Sequence, residues 1–173
     1  MKLLLLDLDG TVREPISDNT FITNPEDQRL IKGVEEKFKE YNYWTVIGVT
    51  NQGGVAAGHK TLENCIAEQY FTLELAWRLE AILFCPDVEG KECWVVESEF
   101  LEPYCVTIRG YNFRKPGAGM LDFAHRLTWN WEGKQASNSI EESLMVGDRE
   151  EDKLAAKAAN IPFMWAKDWR DDK

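Results

Sequence analysis

The sequence predicts an α/β fold, a three-layer sandwich in which helices cover both faces of a mainly parallel, Rossmann-like sheet. Short apolar runs alternate with segments of helical periodicity along most of the chain, which is typical of βαβ units. The first run, Leu3–Leu6, shows no polar alternation, as expected for a strand that is covered on both faces. At 173 residues the chain has the length of one ordinary domain, and we expect a single domain over residues 1–173.

Five strands are expected from the apolar runs. In chain order they are Leu3–Leu6, Trp44–Val49, Ala81–Phe84, Leu144–Val146 and Pro162–Trp165. Between Cys85 and Arg114 the periodicity fades, and this segment is expected to be irregular with one or two additional strands.

Helices are expected between the strands, because apolar residues recur there at intervals of three and four. The first helix is predicted to begin near Pro25, and its apolar stripe consists of Leu30, Val34, Phe38 and Tyr41. Thr61 is expected to cap the second helix. The apolar face of that helix is predicted to carry Ile66, Tyr70, Leu73 and Trp77. A third helix carries Met120, Ala124, Leu127 and Trp131. A fourth spans Glu151–Ala159, and the tail, residues 167–173, is expected to be loose.

Composition excludes several classes of protein. The formal net charge of -10 argues against a general surface for nucleic acid or anionic membrane, and leaves room only for a local basic groove. No apolar stretch approaches the roughly 20 residues that span a bilayer, and Leu3–Leu6 runs directly into acidic residues instead of a signal-peptide cleavage pattern. We therefore expect a cytoplasmic protein without a membrane partner. The four cysteines are too few and too irregular for a secreted disulfide framework.

Polar motifs follow the predicted strands, where ligands bind in an open parallel sheet. DLDGT follows the first strand, and side-chain alternation lets Asp7 and Asp9 face one ligand. With a divalent cation, two carboxylates can divide the attack on phosphorus and the proton transfer between them. Gly10 permits a sharp turn, and the amides near Gly10 and Thr11 can bind phosphate. The same motif also fits a strand-end turn whose acids cap backbone amides.

Two further motifs, TNQGG and RKPG, add candidate phosphate-binding side chains. Thr50 and Asn51 offer a hydroxyl and an amide directly after the second strand. Lys115, at the start of a helix, can neutralise a transferring phosphoryl group, and the neighbouring Arg114 is a candidate substrate-binding residue. Taken singly, these motifs fit equally well with a polar loop and with solvated basic side chains.

The motif GDREED, after the fourth strand, supplies candidate metal ligands. Asp148 and Asp152 are four residues apart and therefore lie on one face of the helix start. Hard oxygen ligands of this kind suit Mg²⁺. Acidic residues at a helix N-terminus also satisfy the helix dipole, an explanation that fits Glu150 and Glu151 better than Asp148.

Together these motifs resemble those of the haloacid dehalogenase superfamily of phosphohydrolases. All four motifs of that superfamily are present in order and span nearly the whole chain. They are DLDGT at residues 7–11, VTNQGG at 49–54, RKPGAGM at 114–120 and VGDREED at 146–152.

The resemblance implies a role for each motif residue. Asp7 would be the nucleophile that forms an aspartyl-phosphate, and Asp9 the general acid and base. Thr50, with Asn51 beside it, would bind the phosphoryl group, and Lys115 would stabilise its charge. The implied Mg²⁺ ligands are Asp7, the backbone carbonyl of Asp9 and Asp148, with Asp152 behind them.

The second and third motifs look like the branch that contains heptose bisphosphate phosphatases, histidinol-phosphate phosphatases and polynucleotide 3'-phosphatases. That branch lacks a large cap domain, and the short spacing between the motifs agrees. The implied activity is a Mg²⁺-dependent phosphomonoesterase, and a small phosphorylated metabolite such as a sugar phosphate suits the acidic chain. A nucleic acid 3'-phosphate end is the alternative substrate, which requires a basic groove around Arg13, Arg109 and Arg114. A non-catalytic phosphate-binding or scaffold protein is the alternative of another class, against which the presence of both Asp7 and Asp9 argues.

Sugar-phosphatase members of that branch often carry a zinc-binding loop before the lysine motif. Here FCPDVEGKEC offers Cys85 and Cys93, with Asp87 where a histidine is expected, and Cys105 stands well short of Arg114. Three thiolates and Asp87 make four candidate ligands for a structural Zn²⁺. Their spacing matches no familiar zinc site and favours ordinary buried or free cysteines.

Overall fold

The computed structural model describes residues 2–99, 102–131 and 142–171, and for residues 129–131 it describes the backbone only. The strands of the described part are β1 (Lys2–Leu6), β2 (Arg13–Glu14), β3 (Arg29–Leu30), β4 (Thr45–Asn51), β5 (Ala81–Cys85), β6 (Cys93–Glu97), β7 (Tyr104–Val106), β8 (Glu142–Gly147) and β9 (Phe163–Trp165). The helices are α1 (Val34–Glu40), α2 (Leu62–Leu75), α3 (Gly119–Trp131), α4 (Glu150–Ala158) and α5 (Ala166–Asp171).

A seven-stranded sheet in the order β7-β6-β5-β4-β1-β8-β9 forms the middle layer. β5, β4, β1, β8 and β9 are parallel, and β6 and β7 join one edge in antiparallel pairing. Leu6, at the end of β1, pairs with Gly48 on one side and with Val146 on the other. The loops after β1, β4 and β8 therefore leave the sheet next to each other, at the carboxyl ends of the parallel strands.

Helices cover both faces of this sheet, as predicted. Leu3 and Leu5 of β1 face a core shared with α3 and α4, while Leu4 and Leu6 face a core shared with α1, α2 and α5. All four of these leucines are fully buried. The described chain between β1 and β4 holds only α1 and the β2–β3 hairpin, so no large cap interrupts it. None of the described helices is long and apolar enough to cross a membrane.

The first helix begins later than predicted. It starts at Val34, after Gly33, whose φ of 95° is the left-handed conformation that glycine adopts without strain. Leu30, expected in the helical stripe, instead pairs with Arg13 in the β2–β3 hairpin. The periodicity was correct only for the later positions, where Val34 and Phe38 are buried.

The second helix has the predicted cap, and its predicted apolar face is confirmed for Leu73, which is buried, and for Ile66 and Tyr70, which pack against the same core. The Thr61 side chain accepts a hydrogen bond from the backbone N–H of Asn64, as expected of an N-cap. Trp77, predicted on the apolar face, lies beyond the helix and is 61% exposed. The helix also buries polar side chains that were not predicted, including Glu68 and Thr72, which bond a buried arginine of the β2–β3 hairpin.

The chain end that was predicted to be loose forms α5 up to Asp171, and residues 172–173 lie outside the described part. Trp169 packs into the core and is 1% exposed. Arg170 donates hydrogen bonds from Nη1 to the carbonyls of Gly10 and Thr11, at 3.1 and 2.7 Å. The helix therefore holds the turn that follows β1. Of the predicted stripe of α3, Met120, Ala124 and Leu127 are buried, and the side chain of Trp131 lies outside the described part.

Candidate active site

A small cleft opens at the carboxyl ends of β1, β4 and β8, where the four motifs meet. Its lining residues are Asp7, Asp9, Thr50, Asn51, Lys115, Arg149, Glu151 and Asp152. Six of these eight were predicted as site residues from the sequence. Arg149 and Glu151 were not, because a charged residue inside an acidic motif gives no signal of which way its side chain points.

Lys115 lines the cleft, and its ammonium group is buried between two carboxylates. Its Nζ is 2.6 Å from Asp7 Oδ1 and 2.6 Å from Asp152 Oδ1, and it donates to the Val49 carbonyl at 2.8 Å. Burial lowers the pKa of Lys115, but the two carboxylates raise it by more, so its pKa lies above the ordinary value. Lys115 is therefore a fixed positive charge beside Asp7.

Asp7 follows β1 directly and is 6% exposed. Its second oxygen, Oδ2, accepts a hydrogen bond from the Thr11 hydroxyl at 3.2 Å, so both oxygens are oriented. Burial raises the pKa of Asp7 from 3.8 to about 7, with Lys115 opposing the shift and Asp152 and Asp9 adding to it. Near neutral pH both the protonated and the ionised form of this carboxyl group are therefore populated.

Asp7, Asp148 and Asp152 each place a carboxylate oxygen so that the three oxygens lie within 4.8 Å of one another. Such a set of hard oxygen donors fits Mg²⁺. Gly10, with φ of 89°, passes close to this group. A Cβ at Gly10 would lie 2.9 Å from Asp148 Cγ, so a larger residue would displace that carboxylate. The backbone at Gly10 is thus shaped to leave room for the carboxylate cluster.

Mg²⁺ is expected to stabilise the protein more at about pH 8 than at about pH 6. A cation must displace the proton from Asp7, whose pKa is raised to about 7, so binding is weaker below that value. In the metal-free protein the raised pKa stabilises the fold at low pH, and this contribution is lost as the pH rises from about 4 through about 7. Thermal unfolding with Mg²⁺ and with chelator at both pH values measures the difference.

The control for this experiment is Asp7→Asn, which carries no titratable group at that position. The stability of the metal-free variant should depend less on pH over the same interval. Equal stabilisation of the wild type by Mg²⁺ at both pH values would contradict the assignment of Asp7 to the metal.

Both oxygens of the Asp9 carboxylate are held by side chains. Oδ1 accepts from Arg13 Nε at 2.8 Å, and Oδ2 accepts from Gln52 Nε2 at 3.0 Å. Burial acts to raise the pKa of Asp9, but the Arg13 guanidinium and the other donors outweigh it, and the pKa lies below the ordinary value. Gln52 was not singled out from the sequence, although it stands in the middle of the TNQGG motif.

The two polar residues at the end of β4 occupy different positions. Thr50 is buried, lines the cleft and accepts a hydrogen bond from Gln52 Nε2 at 3.2 Å. Asn51 makes two hydrogen bonds of 2.9 Å with the Lys115 backbone, one to its carbonyl and one from its amide. The Asn51 side-chain amide thus joins the end of β4 to the loop that carries Lys115.

The arginines of the predicted basic groove do not come together at the cleft. Arg13 is fully buried and paired with Asp9 and Glu68, so it does not contribute to the basic groove that the nucleic-acid alternative requires. Arg109 is exposed, and Arg114 is half-buried beside Gly53, where a Cβ would lie 3.1 Å from its Nη1. Arg114 is not among the residues that line the cleft.

The predicted zinc site is not supported. Among the described residues, the carboxylates of Asp7, Asp148 and Asp152 make up the group of metal-ligand type, and the cysteines form none. Cys93 pairs across the sheet with Val106, and Trp94 with Cys105, so Cys93 and Cys105 point to opposite faces. Cys85 and Cys93 are buried in the core and Cys105 is exposed, which agrees with ordinary free cysteines.

Comparison with known protein families finds a match along nearly the whole chain. A family model described as polynucleotide kinase 3 phosphatase matches residues 2–165, an interval that contains all four motifs. A D-glycero-beta-D-manno-heptose-1,7-bisphosphate 7-phosphatase of Yersinia pestis is 33% identical over 169 residues, covering 91% of this chain and 76% of that protein. A protein of the same name from Helicobacter pylori is 27% identical over 168 residues, covering 92% of this chain and 80% of its own.

Among solved structures, a similar one is the crystal structure of D,D-heptose 1.7-bisphosphate phosphatase from B. bronchiseptica complexed with magnesium and phosphate. The two folds superpose with a TM-score of 0.63 and 25% sequence identity, and the match covers 94% of this chain and 79% of that one. The similarity therefore includes the whole α/β arrangement that brings the four motifs together.

Proposed function

The chain belongs to the polynucleotide kinase 3 phosphatase family and is a cap-less phosphatase of the haloacid dehalogenase superfamily. From that premise we propose that it is a Mg²⁺-dependent phosphomonoesterase that acts on a small sugar phosphate. The observation that carries the proposal is the position of Lys115 Nζ, 2.6 Å from both Asp7 and Asp152. This arrangement places the proposed nucleophile Asp7, a positive charge and the candidate metal ligands close together.

In the proposed first step, an oxygen of Asp7 attacks phosphorus while the bond from phosphorus to the ester oxygen breaks. Asp9, which its low pKa keeps ionised in the free protein, first takes the proton of the substrate's phosphate monoanion and gives it to the departing oxygen, which leaves as an alcohol. Lys115 offsets negative charge on the phosphoryl group as it transfers, and Thr11 keeps the Asp7 carboxylate oriented. Asp7 then carries the phosphoryl group as a mixed anhydride.

In the second step, water attacks phosphorus and Asp9 takes its proton, so that inorganic phosphate leaves and Asp7 is regenerated. Asp7, Asp148 and Asp152 would hold Mg²⁺, the metal that the similar B. bronchiseptica structure contains. When bound, Mg²⁺ offsets the repulsion between the anionic phosphate and the anionic carboxylate.

The substrate class is supported by the relatives and by the charge of the chain. The similar proteins from Yersinia pestis and Helicobacter pylori are named as phosphatases of a heptose bisphosphate. A net charge of -10 favours a small substrate over a phosphate polymer. The alternative, a nucleic acid 3'-phosphate end, is favoured by the description of the matching family model. With Arg13 buried, only Arg109 and Arg114 remain of the three arginines that were expected to form its basic groove.

A panel of phosphate esters tests the proposal. Inorganic phosphate release is measured from sugar phosphates, a sugar bisphosphate, histidinol phosphate and a 3'-phosphorylated oligonucleotide, with Mg²⁺ or with chelator. We expect release that needs Mg²⁺ and is fastest from a sugar phosphate, with little dependence on salt. Preference for the oligonucleotide, with a rate that falls steeply as salt rises, would favour the alternative substrate. No release from any ester would favour a non-catalytic phosphate-binding role.

A further inference from the structure

Five polar side chains form a closed ring that reaches the cleft through Asp9, the one member with a role in the proposed mechanism. The ring runs from Asp9 through Arg13, Glu68, Lys60 and Gln52 and back to Asp9. Arg13 bonds Asp9 at 2.8 Å through Nε and Glu68 at 2.6 Å through Nη2. Glu68 Oε2 pairs with Lys60 Nζ, which donates to Gln52 Oε1 at 3.4 Å. The Gln52 amide donates to Asp9 at 3.0 Å and closes the ring.

Four of the five side chains are buried. Arg13 is 0%, Glu68 1% and Gln52 4% exposed, and the Lys60 side chain is 8% exposed, whereas the Asp9 side chain is 40% exposed and lines the cleft. Arg13 Nη1 is also occupied, by Gln28 and Thr72. The charged groups of the ring are therefore paired with one another inside the protein. Asp9 is the one ring member whose side chain faces the cleft.

Stability is a weak explanation for such an arrangement. Taking paired charges out of water costs about as much free energy as their attraction returns, so a buried ion pair rarely stabilises a fold more than apolar packing would. What the ring does provide is orientation, since one donor on each oxygen fixes the plane of the Asp9 carboxylate. A carboxylate oxygen has two lone pairs, so each oxygen still has one free for proton transfer.

We propose that Arg13 is a positioning residue that holds the Asp9 carboxylate toward the leaving oxygen of the substrate. The other three members of the ring, Glu68, Lys60 and Gln52, keep the side chains of Arg13 and Asp9 in their observed orientations. The inference rests on the proposed function, because it gives the ring a task in the proton transfer to the ester oxygen. Asp9 itself exchanges the proton, and Arg13 acts only through Asp9.

The test compares esters that differ in their need for a proton. Departure of an alkyl alcohol requires protonation by Asp9, while p-nitrophenolate leaves without it. The quantity measured is kcat/KM, because it reports the steps up to departure of the leaving group and is not affected by the later hydrolysis. For Arg13→Met we expect a loss of about 10²-fold with an alkyl phosphate and a much smaller loss with p-nitrophenyl phosphate.

The matched control is Arg29→Met, which removes an exposed arginine from the same hairpin without touching Asp9. This variant should have the wild-type kcat/KM with both esters. Glu68→Gln is measured alongside, since it removes the ion pair at the far side of Arg13 with little change of shape, and it should show the same selective loss in smaller measure. Circular dichroism establishes that each variant is folded, and Glu68→Gln decides the question where Arg13→Met does not fold.

An equal loss with both esters, or no loss with either, would overturn the positioning role while leaving the phosphatase proposal intact. The two proposals fail in distinguishable ways, because failure of the proposed function appears as absence of Mg²⁺-dependent release in the wild type.

Discussion

Asp7→Asn is expected to lower the rate of phosphate release by on the order of 10⁴-fold or more. The asparagine amide is not a nucleophile toward phosphorus, so the covalent route is closed. The fold should survive, since Lys115 keeps its ion pair with Asp152 and an amide oxygen can still accept from the Thr11 hydroxyl. The measurement is phosphate release at saturating substrate and Mg²⁺, together with thermal unfolding of the same samples.

The control for this variant is Asp122→Asn, which changes an exposed aspartate of α3 in the same way. It should retain wild-type activity. Full activity in Asp7→Asn, with the control unchanged, would remove Asp7 from the role of nucleophile.

Lys115→Met is expected to lower both activity and stability. The variant leaves the carboxylates of Asp7 and Asp152 buried together without their cation, which costs about 3–5 kcal/mol of unfolding free energy. Loss of the positive charge beside the transferring phosphoryl group should lower kcat by about 10²- to 10³-fold. Urea unfolding in the presence of chelator measures the first effect, and phosphate release with Mg²⁺ the second.

Two further variants separate the causes. Lys115→Met combined with Asp152→Asn removes one of the two buried charges and should regain part of the lost stability but none of the activity. Lys167→Met, at an exposed position of α5, should change neither quantity. A folded Lys115→Met protein with wild-type stability would show that the ion pairs of Lys115 do not hold the cleft together.

Much of the site could be predicted because the sheet is parallel. Once Leu3–Leu6, the strand before TNQGG and the strand before GDREED are recognised, their carboxyl ends must meet at one edge of the sheet. That places Asp7, Thr50 and Asp148 in one region without any knowledge of side-chain contacts. The residue types there favour binding of phosphate and a divalent cation, and the resemblance of all four motifs to one superfamily strengthens that interpretation.

What the sequence could not predict depends on contacts between distant residues. Arg13 and Glu68 are 55 positions apart, and nothing in either segment indicates that a buried face of α2 would be polar. The C-terminal helix was missed for a related reason. Trp169 is a single tryptophan among charged residues, so it shows no periodicity. In the structure it nevertheless packs into the core and is 1% exposed.

The measurement that tests the central claim most directly is the capture of the covalent intermediate. Asp9→Asn protein is mixed with p-nitrophenyl phosphate and Mg²⁺, quenched in acid, and its peptides are analysed by mass spectrometry. This ester forms the intermediate without help from Asp9, and the variant lacks the base that hydrolyses it. The account predicts a phosphoryl group on Asp7, absent when Asp7→Asn is added to the variant. Release of p-nitrophenolate with no phosphoryl group on Asp7, or with one on another side chain, would contradict it.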